Sequence, residues 1–408
     1  MNLRLKKILL ISGFVFVVLG LAFGLYWFFF RPSPSVVMPT PGAVTPGGQL
    51  PTAGEGAPEG TPTTTGVPGL PQVPGTGVGT LPSGVPLAGR TTVLRTEPTQ
   101  QISMSASGLR SYNPNDGRFY KINANGDVVP LSNQTFFGVQ KVDWGNNSDQ
   151  AILNFPDGSN VYYNFATNNQ VTLPQYWEDF SFSPNDAEIA AKAVGGNENN
   201  RFLVVSNPDG TNARPVEDLG ANQDKVHVDW SPNNQAIAYS FTGDSLGFDR
   251  QSIVLVGKNQ ENFKSIVVEG RGFVPNWSPT GDNMIYSVYN SNDNYLPSLW
   301  FSGASGDNTN ANRQNLNLPT WADKCTWQSQ TVVICGVPTQ LDKGAALQRD
   351  AFRQVPDEIY KVNLETGERI NLGQPQGGAA VDQMTITPDG SAALFTDAIT
   401  GKLIRFDL

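Results

Sequence analysis

The stretch VDWSPNNQAIAY, residues 228–239, decides the fold. An alternating apolar and polar run leads into a Ser-Pro turn of small polar residues, and a second alternating run leaves it. Alternation with period two is typical of half-buried strands, and Pro, Asn and Ser favour the tight turn between them. The stretch therefore predicts a β-hairpin.

The same phrase recurs along the chain. Clear copies are residues 276–281 and 181–186, and weaker ones are residues 143–145, 326–328, 385–390 and 103–106. Successive copies lie roughly 40 to 60 residues apart, which is the period of a four-stranded propeller blade. We therefore predict an all-β fold, a β-propeller over residues 90–408.

The spacing of turns between the copies predicts the number of blades. Inner strands should begin near Ile102, Val139, Trp177, Val226, Phe273, Lys324 and Val381. This gives a seven-bladed β-propeller, with six or eight blades as the alternative. The last blade ends at Leu408 after three strands, so we predict that residues 91–96 supply its outer strand and close the ring, which leaves no open sheet edge.

The N-terminus predicts a membrane anchor. Residues 1–7 carry Arg4, Lys6 and Lys7, and residues 8–30 contain no charged residue. An apolar helix of about 23 residues reaches roughly 34 Å and can cross a bilayer. Basic residues before the span favour a signal anchor with a cytoplasmic N-terminus and an extracellular or periplasmic propeller; a cleaved signal peptide is the alternative.

Residues 31–89 separate the span from the repeats. They are rich in Pro, Gly, Thr, Val and Ala and contain no aromatic residue. Such a composition buries too little apolar surface to offset the entropy of ordering, so we predict a disordered linker. Together these features predict a single-pass membrane protein of the cell envelope.

Composition narrows the classes of function. The net charge of −9 argues against nucleic acid, which needs clustered Lys and Arg. One histidine, His227, and two cysteines leave little material for a metal site or a histidine-based triad. We therefore expect no metal, no cofactor and no catalytic residues.

The Trp-Ser-Pro phrase, followed by an Ile-Ala-Tyr strand and later by an Asp-Gly turn, resembles the TolB-like repeat, a WD40-like β-propeller family. The resemblance covers roughly residues 100–408 and is strongest at residues 230–239, 277–286 and 182–190; residues 144–145 and 327–328 lack the Ser-Pro. It implies extracytoplasmic binding of proteins, peptides or glycans. The repeat residues themselves are structural and do not identify a ligand.

The repeated aromatics, Trp144, Phe182, Trp230, Trp277 and Trp327, hold one fixed place in every repeat. We predict that they fill the space between blades rather than forming a binding cage. The residue before each of them is polar. We expect its side chain to bond to the adjacent turn, with a ring of inward-pointing acids as the alternative.

Cys325 and Cys335 flank a predicted hairpin and should lie opposite each other. Outside the cytoplasm they are candidates for a disulfide, and two buried thiols are the alternative.

Binding should depend on loops of unequal length. Loops between second and third strands emerge on the same face of the ring as the segments that link blades, and the longest is 337–358, which has a short helical pattern. Aromatic and charged residues on this face are candidates for a protein or glycan interface: Phe137, Tyr176, Trp177, Asp249, Arg250, Arg271, Tyr295, Trp321, Arg349 and Arg353.

The sequence thus favours a membrane-anchored, non-catalytic protein- or glycan-binding scaffold. The alternative is an enzyme, a lyase or glycan-cleaving propeller with its site at the mouth of the central channel. Carboxylates converging in the channel with shifted pKa values would favour the enzyme.

Overall fold

The computed structural model describes residues 89–123, 126–261 and 263–408. Within these residues, 28 strands form seven separate four-stranded antiparallel sheets. The prediction of an all-β, seven-bladed propeller is confirmed. Each inner strand begins within two residues of the predicted position, because the repeat fixes both the turn and the alternation of the strands on either side.

The first four blades and the closing strand contain the following strands. They are β1 (Thr91–Arg95), β2 (Gln100–Ser105), β3 (Gly108–Asn113), β4 (Arg118–Ile122), β5 (Val128–Pro130), β6 (Lys141–Trp144), β7 (Gln150–Asn154), β8 (Asn160–Asn164), β9 (Asn169–Leu173), β10 (Trp177–Phe182), β11 (Ile189–Val194), β12 (Arg201–Ser206), β13 (Arg214–Asp218), β14 (Val226–Val228), β15 (Ala236–Ser240), β16 (Gln251–Gly257) and β17 (Ile266–Val268).

The last three blades follow the same order from inner to outer strand. They contain β18 (Arg271–Trp277), β19 (Asn283–Tyr289), β20 (Ser298–Gly303), β21 (Gln314–Asn315), β22 (Cys325–Trp327), β23 (Val332–Pro338), β24 (Asp357–Asn363), β25 (Arg369–Gly373), β26 (Val381–Ile386), β27 (Ala392–Asp397) and β28 (Leu403–Asp407).

Short 3-10 helices occur only in the connections of the described chain. They are Glu198–Asn200, Gly220–Lys225, Gly306–Asn308, Ala322–Lys324, Ala345–Leu347 and Arg349–Phe352. The helical pattern expected within residues 337–358 therefore forms two separate 3-10 turns.

The ring closes by pairing the first strand with the last. In blade 7 the order is β1-β28-β27-β26, and Thr91 lies opposite Phe406 and Val93 opposite Ile404. The prediction that residues 91–96 supply the missing outer strand is confirmed. Closure gives β28 a partner on its outer side, so blade 7 has the same four strands as the other blades.

The core is divided into clusters that lie between neighbouring blades. One cluster joins Tyr112 and Phe119 of blade 1 to Leu153 and Tyr163 of blade 2, and a smaller cluster joins Leu109 of blade 1 to blade 7. The repeated aromatics occur in five of these clusters, with Phe182, Trp230 and Trp327 buried and Trp144 and Trp277 at the edge. They fill the space between blades, as predicted.

In blades 4 and 5 the polar residue before the aromatic has a different role from the one predicted. The indole Nε1 of Trp277 donates to Asp229 Oδ2 of the preceding blade at 2.8 Å, and Trp327 Nε1 donates to Asn276 Oδ1 at 3.0 Å. The prediction of a bond to the adjacent turn is wrong here, because the side-chain oxygen instead accepts from the indole of the next blade. These two copies of the repeat therefore tie blade 4 to blade 5 and blade 5 to blade 6.

A second set of ties starts from irregular positions in the inner strands. Gln101 and Asp179 have positive φ and lie where β2 and β10 shift register, a conformation that Asp tolerates better than most residues. Each such side chain accepts a backbone N–H from the next inner strand: Val142 to Gln101, Val228 to Asp179 and Ile102 to Gln383. The last of these joins blade 7 to blade 1.

Cys325 and Cys335 lie directly opposite each other in β22 and β23, and their sulfur atoms are bonded at 2.13 Å. Both residues are buried in the cluster between blades 5 and 6. The pair links the inner strand of blade 6 to its second strand.

The closing strand can be tested by truncation. A chain beginning at residue 96 lacks β1, whereas one beginning at residue 89 keeps it. Losing the hydrogen bonds between β1 and β28 should lower the free energy of unfolding by on the order of 3 kcal/mol. The Tm should then be roughly 5 to 10 °C below that of the longer chain. Equal Tm values, with no increase in aggregation, would contradict the assigned role of β1.

The cysteine pair can be tested by thiol titration in denaturant without reductant. We expect no reactive thiol, and we expect Cys325→Ala/Cys335→Ala to lose about 2 to 3 kcal/mol of stability because the sequence separation of 10 closes a short loop. Two reactive thiols in the unmodified protein, together with an unchanged Tm in the variant, would show that the cysteines are reduced.

Candidate functional site

The two faces of the ring differ in what they carry. Because strands alternate in direction within each blade, the loops between second and third strands and the links between blades share one face, which we call the loop face. The other face carries the tight turns of the repeated phrase. Ser231, for example, closes its turn by accepting from the amide of Ala236 at 2.9 Å.

Large exposed apolar side chains are concentrated on the loop face. Six of the ten in the described chain lie there: Phe137, Tyr176, Leu246, Phe248, Leu347 and Ile399. The other four, Val93, Val128, Val129 and Ile370, lie on outer strands. Phe248 is 77% exposed and Phe137 64%, the two highest values among these side chains. The loop face therefore carries more of the large exposed apolar side chains than any other part of the described chain.

A cavity of about 830 Å³ opens among blades 1, 5, 6 and 7. Its lining is mainly polar and includes Gln100, Gln140 and Asp350. Several of its amides are already committed to the ring, since Asn276 also donates to the carbonyl oxygens of Ala322 and Cys325.

Two arginines from the segment between β23 and β24 form one wall of the cavity. Arg349 Nη2 lies 2.6 Å from Asp323 Oδ2, and its guanidinium carbon is 5.2 Å from the ring centroid of Trp321. Arg353 Nη2 lies 2.8 Å from Asp382 Oδ1 of blade 7. These exposed pairs position the segment beside the cavity and contribute little stability.

Beneath this wall, Lys324 and Asp357 form a buried ion pair. Nζ lies 2.7 Å from Oδ2, and both side chains are less than 5% exposed. Asp357 also accepts from the amide of Val381 at 2.6 Å, which joins blade 6 to blade 7. Burial raises the pKa of Asp357, and the Lys324 ammonium opposes that shift.

Blades 4 and 5 contribute a second group of predicted residues. Arg271 donates to the carbonyl oxygens of Gly247 and Phe248 and so holds the loop that presents Phe248. In the same sector, Arg250 pairs with Glu269 at 2.9 Å and Asp249 accepts from Ser291 at 2.6 Å.

Tyr295 lies in the loop between β19 and β20, with its ring centroid 6.5 Å from that of Tyr289. Its backbone accepts from the amide of Ala346, so the long loop of blade 6 contacts it. The structure thus brings the loops of blades 5 and 6 together.

Two residues that were predicted to contribute to binding on the loop face are buried instead. Trp177 begins β10 and is 4% exposed within the cluster between blades 2 and 3, and Trp321 is 6% exposed beneath Arg349. Both were expected on the rim because they fall at a blade junction, where sequence alone does not show whether the chain has already turned inward. Trp177 is a core residue, whereas Trp321 supports the cavity wall.

A charged cluster lies on the inner strands of blades 2 to 4 together with Lys192 of β11. The alternative of inward-pointing acids covered Asp143 and Asp229, whereas Asp179 and the lysines were not predicted. Lys141 Nζ lies 2.8 Å from Asp143 Oδ1, and Lys192 lies 3.2 Å from Glu178 and 3.8 Å from Asp179. The sequence signal that could have identified this cluster is the alternation in β6, which puts Lys141 and Asp143 on one face of the strand. Asp179 gave no such signal because the irregularity in β10 redirects it.

Two buried carboxylates of this region, Asp143 and Asp229, have raised pKa values. Burial raises the pKa of Asp229 to about 6. The hydrogen bond from the Trp277 indole opposes this rise, and the Asp179 charge adds to it. Burial also raises the pKa of Asp143, which Lys141 and Asn154 oppose through direct bonds. These two buried carboxylates are therefore easier to protonate than usual.

His227 stacks against Tyr239 with ring centroids 5.3 Å apart and meets Phe241 edge-on. Burial lowers its pKa, and the Asp179 charge opposes this. Its neutral form is therefore favoured, which is consistent with a packing role.

Within the part of the chain that the structure describes, no helix has the length and apolarity needed to span a membrane, and no group of three His, Cys, Asp or Glu side chains could hold a metal ion. The predicted span at residues 8–30 and most of the predicted linker at residues 31–89 lie outside the described residues.

Asp229 supplies a pH test. Its folded-state pKa of about 6 exceeds the ~3.9 of an unfolded chain, so its protonation favours folding below about pH 4, and this contribution is lost as the pH rises through 6. Asp229→Asn keeps an acceptor for Trp277, as Asn276 does for Trp327. It should stabilise the protein by up to about 2 kcal/mol at pH 7.5 and change little at pH 4.

The reciprocal variant, Asn276→Asp, is the control. It places a carboxylate against the carbonyl oxygens of Ala322 and Cys325, so Tm at pH 7.5 should fall. Thermal melts at both pH values check the pair. A Tm that Asp229→Asn lowers equally at pH 4 and 7.5 would show that the carboxylate is not destabilised by burial.

Comparisons with known proteins identify the fold. No family model matches the sequence, and no curated protein matches it. The structure is similar to oligogalacturonate lyase in complex with manganese, at 13% identity and a TM-score of 0.55 over 78% of this chain and 93% of that one. It is also similar to the Swd1 β-propeller domain of Myceliophteria thermophila, with 10% sequence identity and a TM-score of 0.52. That match covers 78% of this chain and 98% of the other. A chain of the Mitotic Checkpoint Complex is similar as well, with 11% sequence identity and a TM-score of 0.51. The match covers 83% of this chain and 98% of that one. These likenesses show a β-propeller shared by an enzyme and other proteins.

Proposed function

We propose that this protein is a non-catalytic binding module that docks a partner protein on its loop face. The observation that carries the proposal is the position of Phe137, Tyr176, Phe248 and Leu347, each more than half exposed and all on that face. Aromatic side chains such as Phe and Tyr are enriched in the centres of protein interfaces.

The loops that present these side chains are held in place, which suits recognition. Arg271 fixes the loop carrying Phe248, and the loop carrying Leu347 is anchored through Arg349 and Arg353. A preorganised surface loses less conformational entropy on binding than a mobile one does. The polar cavity beside it could accept a side chain or a sugar of the partner.

The setting that we propose is the cell envelope. The uncharged residues 8–30 would anchor the protein by a single span, and residues 31–89 would form the linker that lets the propeller reach a partner outside the cytoplasm. The pairing of Cys325 with Cys335 supports an oxidising compartment. The TolB-like resemblance of the repeats supports the same setting.

A lyase or glycan-cleaving enzyme is the second candidate. It is favoured by the raised pKa values of Asp143 and Asp229 in the channel. We place it second because these carboxylates already accept hydrogen bonds that have a structural role, from Asn154 and Trp277 respectively. Turnover of a polysaccharide that Asp229→Asn abolishes without loss of stability would reverse this order.

Site-specific photo-crosslinking in cells tests the docking face. A photoreactive amino acid is placed in the full-length protein at Tyr176, Phe248 or Leu347, and at Val128 or Ile370 as matched exposed controls on outer strands. We expect one discrete protein adduct from the loop-face positions and none from the controls. Adducts of equal yield at both sets, or at the controls alone, would contradict docking on this face.

A further inference from the structure

The connections between second and third strands differ in length around the ring. In blades 4, 5 and 6 they are residues 241–250, 290–297 and 339–356. In blades 1, 2, 3 and 7 they are residues 114–117, 155–159, 195–200 and 398–402. The three long connections thus belong to neighbouring blades, and we call them together the long-loop surface. Long connections on a rigid scaffold are where binding residues are most often found.

Hydrogen bonds join the three long connections to one another. Ser291 Oγ donates to Asp249 Oδ2 at 2.6 Å, which links blade 5 to blade 4. The amide of Gly344 donates to the carbonyl oxygen of Asn294 at 2.9 Å, which links blade 6 to blade 5. The long-loop surface is therefore one continuous unit whose parts have a fixed arrangement.

Exposed apolar side chains lie at both ends of the long-loop surface. Leu246 and Phe248 belong to blade 4 and Leu347 to blade 6, whereas the four shorter connections together carry only Ile399. Arg271 donates to the carbonyl oxygen of Phe248 at 3.0 Å, so this ring is presented on a fixed backbone. A partner that covers both ends must span three blades, which suits a folded domain better than a short peptide.

The long-loop surface also has an excess of acidic side chains. Its three arginines pair with carboxylates outside it: Arg250 with Glu269, Arg349 with Asp323 and Arg353 with Asp382. Its aspartates have no ion-pair partner among the described residues; they are Asp244, Asp249, Asp293, Asp342 and Asp350. Lys343 is the remaining basic residue. The charges therefore favour a cationic partner.

We propose that the long-loop surface binds a folded partner protein whose contact area has an apolar centre flanked by Lys and Arg. Phe248 and Leu347 enter apolar pockets of that partner, and the aspartates attract its basic side chains. Phe137, in the link between blades 1 and 2, lies across the ring and outside the contact. This inference rests on the proposed function, because it names the part of the loop face that binds and the chemistry that it recognises.

The first test is photo-crosslinking in cells with the photoreactive amino acid at Leu347 of the full-length protein. Phe248→Ser should lower the yield of protein adduct about tenfold or more, because it removes an apolar anchor on a different blade. Phe137→Ser is the matched control, since this ring is also more than half exposed. It should change the yield less than about twofold, because it lies far from the contact.

The second test reverses charges and keeps the same photoreactive position. Asp244→Lys/Asp342→Lys changes two exposed side chains and should lower the yield about tenfold or more. Glu365→Lys/Glu368→Lys makes an equal change on a turn of blade 6 at the opposite face and should alter the yield less than about twofold. Thermal melts of every variant check that folding is retained. The crosslinked segment of the partner, identified by mass spectrometry, should be rich in Lys and Arg.

The outcomes separate this inference from the proposed function. If Leu347 gives no protein adduct in the otherwise unmodified chain, both are wrong. An adduct whose yield Phe248→Ser leaves unchanged, or that both charge reversals weaken equally, would overturn this inference alone. An acidic partner segment at the crosslink would do the same, and the proposed docking on the loop face would still stand.

Discussion

The structure depends on hydrogen bonds that pass from the inner strand of one blade to the inner strand of the next. A propeller blade is a small twisted sheet that cannot bury both faces alone, so stability requires that neighbours pack in a fixed register. Here the indole of Trp277 donates to Asp229, and the amide of Ile102 donates to Gln383 across the junction of blades 7 and 1. These directional bonds fix how the apolar clusters between blades align.

The same requirement explains the electrostatics of the channel. Ties between inner strands need acceptors on those strands, and in blades 3 and 4 two of these acceptors, Asp179 and Asp229, are carboxylates; Asp143 of blade 2 lies nearby. Their burial raises the pKa values of Asp143 and Asp229, while Lys141 and Lys192 supply compensating charge. A channel that resembles a catalytic centre in its ionisation can therefore arise from the construction of the ring, and this is why we place the enzyme second.

The fold was predictable from the sequence because one repeated phrase specifies a turn, two strands and an interblade aromatic at once. The number of blades and the closing strand followed from counting its copies. The candidate surface was predictable only in part: Phe137 and Tyr176 are exposed as expected, whereas Trp177 is buried. Local pattern does not show on which side of a blade junction a residue lies. Asp179 and the short outer strand β17 were missed because strand irregularity and strand length depend on neighbouring blades.

The central claim is that the loop face is the surface that meets a partner. Hydrogen exchange of the full-length protein in an extract of the cells that produce it, compared with the purified protein, tests it most directly. We expect slower exchange at residues 241–250 and 339–356 in the preparation that retains the cellular partners than in the purified protein. The turns at residues 183–188 and 278–282 on the opposite face should be unchanged. Protection confined to those turns, or identical exchange at every segment in the two preparations, would contradict it.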